Sequence, residues 1–307
     1  MAVQLLLRDG VPDWWMSADI WIVPGNDPNG PPGSPIAGKP AYMWAHVANN
    51  GSTAAIGVRV DFFWADPSMQ ILAGTAHAIG SAFADIDAGD AQDVLCLVPW
   101  MPTIVNGGHE CVIAVAHGAG DTNPIPDLLP SGFDFNPPAH DQIAQRNLSV
   151  LVAAMQMIAR PLTIAGFDRE DKLVMVRAEV GEGLDERALK LLGLPGLHPA
   201  EKGSLRVALR REHHCPDDAK RGDKDELQIS VPRGTKAGVF VSIDARGMKE
   251  GAYALVRVTE RTKRQVLGGY AFAHVRNNYT VSLQRGKTAQ GRCLANFLRL
   301  HIPAIEK

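Results

Sequence analysis

The stretch from Asn106 to Val150 constrains the fold more than any other part of the chain. It begins with turn-forming residues and continues as the apolar segment Cys111–His117. A Pro-rich loop then leads to a second apolar segment that begins at Ile143. Short apolar runs bounded by turn residues are typical of buried strands. We therefore predict that these are the last two strands of a first β-sandwich, with its other strands before them and a second domain after them.

The residues before this stretch alternate as half-buried strands do. In the segment 56–64, the apolar residues Val58, Val60, Phe62 and Trp64 fall on one face, with Arg59, Asp61 and Phe63 on the other. Further strands are predicted at 20–23, 42–48 and 94–100, with a weaker one in 71–83. The apolar run after Ile143 is predicted to continue as a strand, with a helix from Leu151 onward as the alternative.

The residues after 158 predict a second β domain with one helix. Short strands are predicted at 162–167, 173–178, 204–211, 226–231, 238–243, 252–259 and 266–275. Apolar residues recur every three or four positions in 184–192, and Gly193 and Pro195 follow, which indicates an amphipathic helix. The predicted fold class is all-β, with two immunoglobulin-like β-sandwich domains, the second with one inserted helix. The predicted domains are residues 1–157 and 158–276, followed by a C-terminal docking tail, 277–307.

Composition excludes several classes of function. The 307 residues carry a formal net charge of -2, so no strong field would attract nucleic acid. No apolar run is long enough to predict a membrane span. Residues 1–8 lack the basic region and the apolar core of a signal peptide. We expect the protein to stay inside the cell or to leave it by another route, unless a leader has been removed.

The four cysteines, Cys96, Cys111, Cys215 and Cys293, form no CxxC pair. Cys96 and Cys111 are predicted to lie on neighbouring strands of the first domain. They would form either a disulfide or two buried thiols. Buried thiols are favoured, because free cysteine packs as a small apolar side chain.

Several segments of the first domain form a pattern of turns and strand ends. They are Asn49-Asn50-Gly51-Ser52, Phe62-Phe63-Trp64, Val98-Pro99-Trp100, Gly108-His109-Glu110-Cys111 and Ile143-Ala144-Gln145-Arg146-Asn147. Over residues 14–152 the pattern resembles the CARDB-like, immunoglobulin-fold modules of bacterial and archaeal surface and secreted proteins. The resemblance implies adhesion, scaffolding or the presentation of another domain.

Two aromatic regions are candidates for interaction with a partner. Trp14, Trp15 and Trp21 precede a Pro- and Gly-rich loop, 24–38. Clustered aromatic residues often form recognition surfaces, although here they would also suit a strand packed over the end of a sandwich. The tail is apolar, with Tyr279 and Phe297 as its candidate contacts. It would dock on its own domain or add a strand to a neighbouring subunit.

Metal binding has two candidate sites. His213, His214 and Cys215 are zinc-ligand types, and His198 could join them. A polar loop is the alternative, because adjacent residues of a strand point to opposite faces. Asp85, Asp87 and Asp90 form an acidic turn that could hold Ca²⁺, although their spacing differs from that of an EF-hand and a solvated turn is the alternative. No other cofactor is predicted.

No catalytic pattern is recognisable. The chain has no G-x-S-x-G, H-E-x-x-H or P-loop sequence, and His109 and Cys111 share a strand face too far apart to form a hydrogen bond. The leading hypothesis is a non-enzymatic assembly protein. It would pack with copies of itself, or with components of a larger particle or filament, through loops, edge strands and tail. The alternatives are a surface adhesin or carbohydrate-binding module that uses the tryptophans, and a metal-dependent enzyme that uses His213, His214 and Cys215.

Overall fold

The computed structural model describes residues 2–7, 13–66, 70–103, 111–153, 157–167, 170–211 and 224–276. Strands dominate these residues, which confirms the predicted all-β fold class. Those of the first half are β1 (Leu5–Leu6), β2 (Ile20–Pro24), β3 (Ala41–Asn49), β4 (Ala55–Ala65), β5 (Ala76–Ile86), β6 (Ala91–Trp100), β7 (Cys111–His117) and β8 (Ile143–Arg146). Those of the second half are β9 (Leu148–Ala153), β10 (Met157–Ala165), β11 (Lys172–Val180), β12 (His198–Pro199), β13 (Arg206–Arg210), β14 (Glu226–Val231), β15 (Lys236–Asp244), β16 (Ala252–Arg261) and β17 (Val266–Arg276).

Strands β1–β8 form the first sandwich. In its first sheet, β3 pairs antiparallel with β1, β2 and β6. In its second sheet the order is β5-β4-β7-β8. Val58, Val60 and Phe62 are fully buried between the sheets, as their alternation predicts. The pairing of β7 with β8 confirms the two strands expected at Cys111–His117 and from Ile143.

Strands β9–β17 form the second sandwich. Its larger sheet has the order β14-β11-β16-β17-β9, with β12 alongside β16, and its smaller sheet is β10-β15-β13. The predicted helix is present as α1 (Glu186–Leu191). Asp185 caps its start by accepting a hydrogen bond of 2.7 Å from the amide of Ala188. Gly193, at φ 71°, follows its end in the left-handed conformation that glycine adopts easily.

The passage between the sandwiches lies earlier than predicted. Strand β9 pairs in parallel with β17 of the second sandwich, from Leu148 opposite Ala271 onward. The chain therefore leaves the first sandwich at Asn147, whereas the predicted first domain extended to 157. The chain continues from β8 into β9 across Asn147 alone, without a Pro- or Gly-containing loop that would mark the change. Residues 151–153 and 157–165 are strand, so the helical alternative was wrong for them.

Asn147 forms hydrogen bonds with residues of both halves of the chain. Its amide donates to the carbonyl of Trp15 at 2.6 Å, its side-chain Nδ2 to the carbonyl of Gly269 at 2.7 Å, and its carbonyl accepts from the amide of Ala271 at 3.0 Å. Two ion pairs add to this contact, Asp13 with Arg257 and Asp19 with Arg187. Hydrogen bonds and ion pairs therefore stabilise the junction between the two sandwiches.

A buried ion pair lies in the second sandwich. Lys172 Nζ is 2.7 Å from Glu260 Oε1, and both side chains are 0% exposed. The ammonium group also donates to the carbonyl of Ala165 at 2.7 Å. Burial raises the pKa of Glu260, although the charge of Lys172 acts in the opposite direction. The pair places two charges where removal from water is costly.

Candidate interaction surfaces

Two of the three tryptophans predicted to form a recognition surface lie in the interior. Trp14 and Trp15 are buried, Trp15 to 2% exposure, and their rings meet edge to face at 5.4 Å. The indole of Trp15 packs directly on the backbone of Gly269 in the second sandwich. Their burial agrees with the alternative, in which these residues pack over the end of a sandwich, and not with the interaction assignment. Trp15 also joins the two halves of the chain. Trp15 finds its partner in a segment far away in sequence, which no local pattern reveals.

Trp21 has a different setting, because it faces out from the first sheet. It lies opposite Trp44 of the neighbouring strand β3. The two half-buried indoles are nearly parallel, with centroids 5.8 Å apart and an interplanar angle of 7°. Beside them is an open cavity of about 250 Å³. Its lining includes Trp21, Pro28, Asn29, Gly30, Trp44 and Asp93.

The Pro-rich loop forms a wall of this cavity. Trp44 Nε1 donates to the carbonyl of Pro28 at 2.9 Å, and the amide of Gly33 donates to the carbonyl of Ile22 at 2.9 Å. Another backbone hydrogen bond, from Gly25 to Pro40, closes the loop at 2.8 Å. These hydrogen bonds hold the loop along the first sheet.

A histidine–aspartate pair borders the same cavity. His46 lies opposite Asp93 across strands β3 and β6, and His46 Nδ1 is 2.6 Å from Asp93 Oδ1. This contact fixes the orientation of a carboxylate that lines the cavity. The surface thus places flat aromatic rings and an oriented polar group together.

A second exposed surface is the open side of the first sandwich, formed by β5 and β6. Among the described residues, β5 pairs with β4 alone and β6 with β3 alone. The two strands lie side by side, since a Cβ added at Gly80 in β5 would come 2.7 Å from a methyl carbon of Val98 in β6. Strand β5 contains no Lys, Arg or Pro, the residues that commonly block pairing at sheet edges, whereas β6 contains Pro99.

The open side is apolar along its strands and acidic at one turn. Its exposed apolar side chains include Phe83, at 69% exposure, and Leu97, at 71%, together with Val98 and Met101. The end of β5 and the turn that follows it carry three exposed carboxylates, Asp85, Asp87 and Asp90. Asp85 accepts a hydrogen bond from the amide of Gly57, and Asp90 from that of Ala91. Phe83 lies opposite Arg59 on the outer face of the second sheet, and Leu97 lies on the outer face of the first sheet, so these exposed apolar residues flank the open side on its two faces.

The remaining predicted sites lie mostly outside the described residues. These are the zinc candidates His213, His214 and Cys215 and the tail contacts Tyr279 and Phe297. In the part of the chain that the structure describes, no three His, Cys, Asp or Glu side chains are grouped to hold a metal ion, and this part includes His198 and the acidic turn. No helix of the described ranges has the length and apolar character needed to cross a membrane.

Asp61, on the second sheet, brings together a serine and a histidine. It accepts a hydrogen bond from Ser81 Oγ at 2.6 Å and lies 3.2 Å from both Arg59 Nε and His117 Nε2. Burial raises the pKa of Asp61, but the contacts with His117, Ser81 and Arg59 outweigh it and hold the pKa below its ordinary value. Nucleophilic catalysis needs the serine hydroxyl bonded to the imidazole, whereas here it bonds to the carboxylate. The cluster is therefore organised to stabilise the sheet.

The two described cysteines occupy different sheets, so the prediction of neighbouring strands was wrong. Cys96 lies in β6 of the first sheet and Cys111 in β7 of the second, because the chain crosses the sandwich between these strands. Both are free and buried, as the thiol interpretation predicted. Burial raises the pKa of each thiol, which makes the reactive thiolate scarce.

Comparisons with known proteins find no matching family model and no matching curated protein. Among solved structures, the chain is similar to the CupB6 tip adhesin from Pseudomonas aeruginosa, at 9% identity and a TM-score of 0.26, over 91% of this chain and 99% of that one. It is also similar to CBD12 from CALX1.2, at 10% identity and a TM-score of 0.18, over 72% and 73% of the two chains. A third similarity, to the exo-chitosanase CsxA of Amycolatopsis orientalis, has 12% identity and a TM-score of 0.20, over 76% of this chain and 25% of that one. These TM-scores are too low to support any argument about function, and the CARDB-like resemblance is not confirmed.

Sequence reasoning missed Trp44, Asp93, Phe83 and Leu97. A signal for Trp44 was present in the predicted strand 42–48, where alternation places Tyr42, Trp44 and His46 on one face. For Phe83 and Leu97 the sequence offers no equivalent signal. Which strand edges stay unpaired depends on sheet order, and sheet order is not a local property.

Proposed function

We propose that this protein is a non-enzymatic assembly module that self-associates through the open side of its first sandwich. The observation that carries the proposal is the adjacent pair of edges, β5 and β6, with the exposed apolar residues Phe83, Leu97, Val98 and Met101. An unpaired strand such as β5, which contains no Lys, Arg or Pro, is a template for a strand of another chain. Burying large apolar side chains there would supply the driving force.

Charge distribution supports a second copy as the partner. Residues 1–147 hold 4 of the 31 Lys and Arg but 15 of the 33 Asp and Glu, so the first half is acidic and the second half basic. The acidic turn 85–90 borders the open side, while the β16–β17 turn exposes Lys263 and Arg264 beside the apolar Val266. We propose that the turn of one copy meets the open side of the next. Such a head-to-tail contact forms rings or filaments, depending on its rotation.

Light scattering on a sizing column, at increasing protein concentration and at two salt concentrations, tests this function. The wild-type mass should rise above the 33.0 kDa of one chain as concentration increases. Added salt should reduce it, because salt screens charge complementarity. Phe83→Lys combined with Leu97→Lys should keep the protein monomeric, since the new charges face an apolar contact.

Leu128→Lys is the matched control, because Leu128 is 86% exposed and lies outside β5 and β6. It should associate as the wild type does. A wild-type protein that stays monomeric at every concentration would contradict the proposal, and so would a double variant that associates normally.

The CARDB-like resemblance accords with this proposal, since it implies adhesion or scaffolding. The metal-dependent alternative rests on His213, His214 and Cys215. Stoichiometric zinc in the purified protein would support that alternative.

A further inference from the structure

We infer that the cavity beside Trp21 and Trp44 is a saccharide-binding site that holds one sugar ring. The site shares strand β6 with the open side, since Asp93 belongs to that strand. Its tryptophans and loop residues lie outside β5 and β6, and sugar binding does not require self-association. Its volume of about 250 Å³ suits a small cyclic ligand better than a folded partner. It combines aromatic, carboxylate and amide groups in one place.

The aromatic part of the site is flat. The indoles of Trp21 and Trp44 are inclined by only 7° to each other, in an offset stack that is favourable for aromatic pairs. A pyranose ring has one face made largely of C–H groups, and that face is complementary in shape and polarity to an indole surface. The sheet holds both rings by cross-strand pairing, so little order would have to be gained on binding.

The polar part of the site suits the hydroxyl groups at the rim of a sugar. Asp93 lines the cavity, and its contact with His46 orients the carboxylate. A carboxylate can accept several hydrogen bonds, so Asp93 can also accept from sugar hydroxyls. The Asn29 carboxamide at the loop wall can both donate and accept. Flat apolar contact with a few placed polar groups is the usual composition of small-molecule sites.

Two other ligand classes fit less well. Aromatic cages for quaternary ammonium groups surround a cation with rings, whereas these two rings are parallel and His46 lies against the carboxylate. Proline-rich peptides dock in grooves lined by aromatic residues, where an indole N–H is a natural donor to a peptide carbonyl. In this chain Trp44 Nε1 already donates to Pro28 of its own loop.

Nuclear magnetic resonance of the tryptophan indole N–H groups tests the inference. The probes are the methyl glycosides of glucose, galactose, mannose and N-acetylglucosamine, with choline chloride as the cationic comparison. At least one glycoside should shift the indole signals of Trp21 and Trp44 in a saturable manner. Trp21→Ala should raise the dissociation constant for that glycoside about tenfold or more, because a central aromatic contact is lost.

Asp93→Asn should weaken binding less than Trp21→Ala, since the amide keeps one acceptor. Phe83→Ala is the matched control, an exposed aromatic on the other sheet, and should leave binding unchanged. Dispersed signals in the nuclear magnetic resonance spectrum of each variant show that it is folded. Light scattering of Trp21→Ala separates the two proposals, because self-association should persist in it when sugar binding is lost.

Three results would overturn the inference. One is the absence of any shift with all four glycosides. Another is a response to choline alone. The third is glycoside binding that survives unchanged in folded Trp21→Ala.

Discussion

The two sandwiches share an architecture but distribute their polar and aromatic residues differently. All six tryptophans lie in residues 1–100, and the first sandwich exposes apolar residues on its open side. The second sandwich has no tryptophan, and it buries a complete ion pair, Lys172 with Glu260. The first sandwich therefore has tryptophans both at its surface, Trp21 and Trp44, and in its interior, Trp14 and Trp15. The second sandwich keeps its ion pair Lys172–Glu260 in the interior, although it also exposes apolar residues such as Leu173 and Val266.

The largest expected effect concerns the buried ion pair. Lys172→Met should lower the free energy of unfolding by about 4 kcal/mol, because it leaves the Glu260 carboxylate buried without its partner. Combining Lys172→Met with Glu260→Leu should restore most of the loss, since no buried charge remains. Urea unfolding measures both values. Arg261→Met is the surface control, because its ion pair with Glu226 is half-exposed, and it should cost less than about 1 kcal/mol. An equal loss of unfolding free energy in Arg261→Met and Lys172→Met would contradict the idea that the buried ion pair matters more than the surface one.

A smaller effect is expected where the sandwiches touch. Gly269→Ala should lower the free energy of unfolding by about 2 kcal/mol, because its Cβ would collide with the Trp15 indole. Gly238→Ala is the matched control in another strand, since a Cβ there meets nothing within 4 Å. Thermal unfolding should separate the two variants. Equal melting temperatures would show that Trp15 does not pack on Gly269 in solution.

The smallest effect concerns acid stability of the first sandwich. The pKa of Asp61 is lower in the folded protein than its ordinary value of 3.8. Its carboxylate therefore stabilises the fold fully above the unfolded pKa, and this stability is lost as the pH falls through the folded pKa. Asp61→Asn should cost about 1 kcal/mol near neutral pH, and less as the pH falls below the folded pKa. Urea unfolding across pH measures this, with the exposed Asp127→Asn as control. A constant cost at every pH would contradict the assignment.

Local patterns predicted most of the strands because alternation and turn residues are properties of short segments. Val58, Val60 and Phe62 were assigned to the core on this basis, and α1 was found from its apolar spacing and Gly193. Features that depend on tertiary pairing were missed or misplaced. Trp15 was a candidate for an exposed surface, whereas its indole packs on Gly269, which is distant in sequence. The predicted first domain was too long, because β9 follows β8 after a single residue and only its pairing with β17 assigns it to the second sandwich.

The parallel pairing of β9 with β17 has a mechanical consequence. Strand β9 enters from the first sandwich, and the chain continues beyond β17 toward the C-terminus. A pull between the first sandwich and the C-terminal residues would draw these parallel neighbours past each other along their length. The hydrogen bonds between them would then share the force at the same time, in shear. In a hairpin such as β16–β17, a pull on its two free ends would open the bonds one after another.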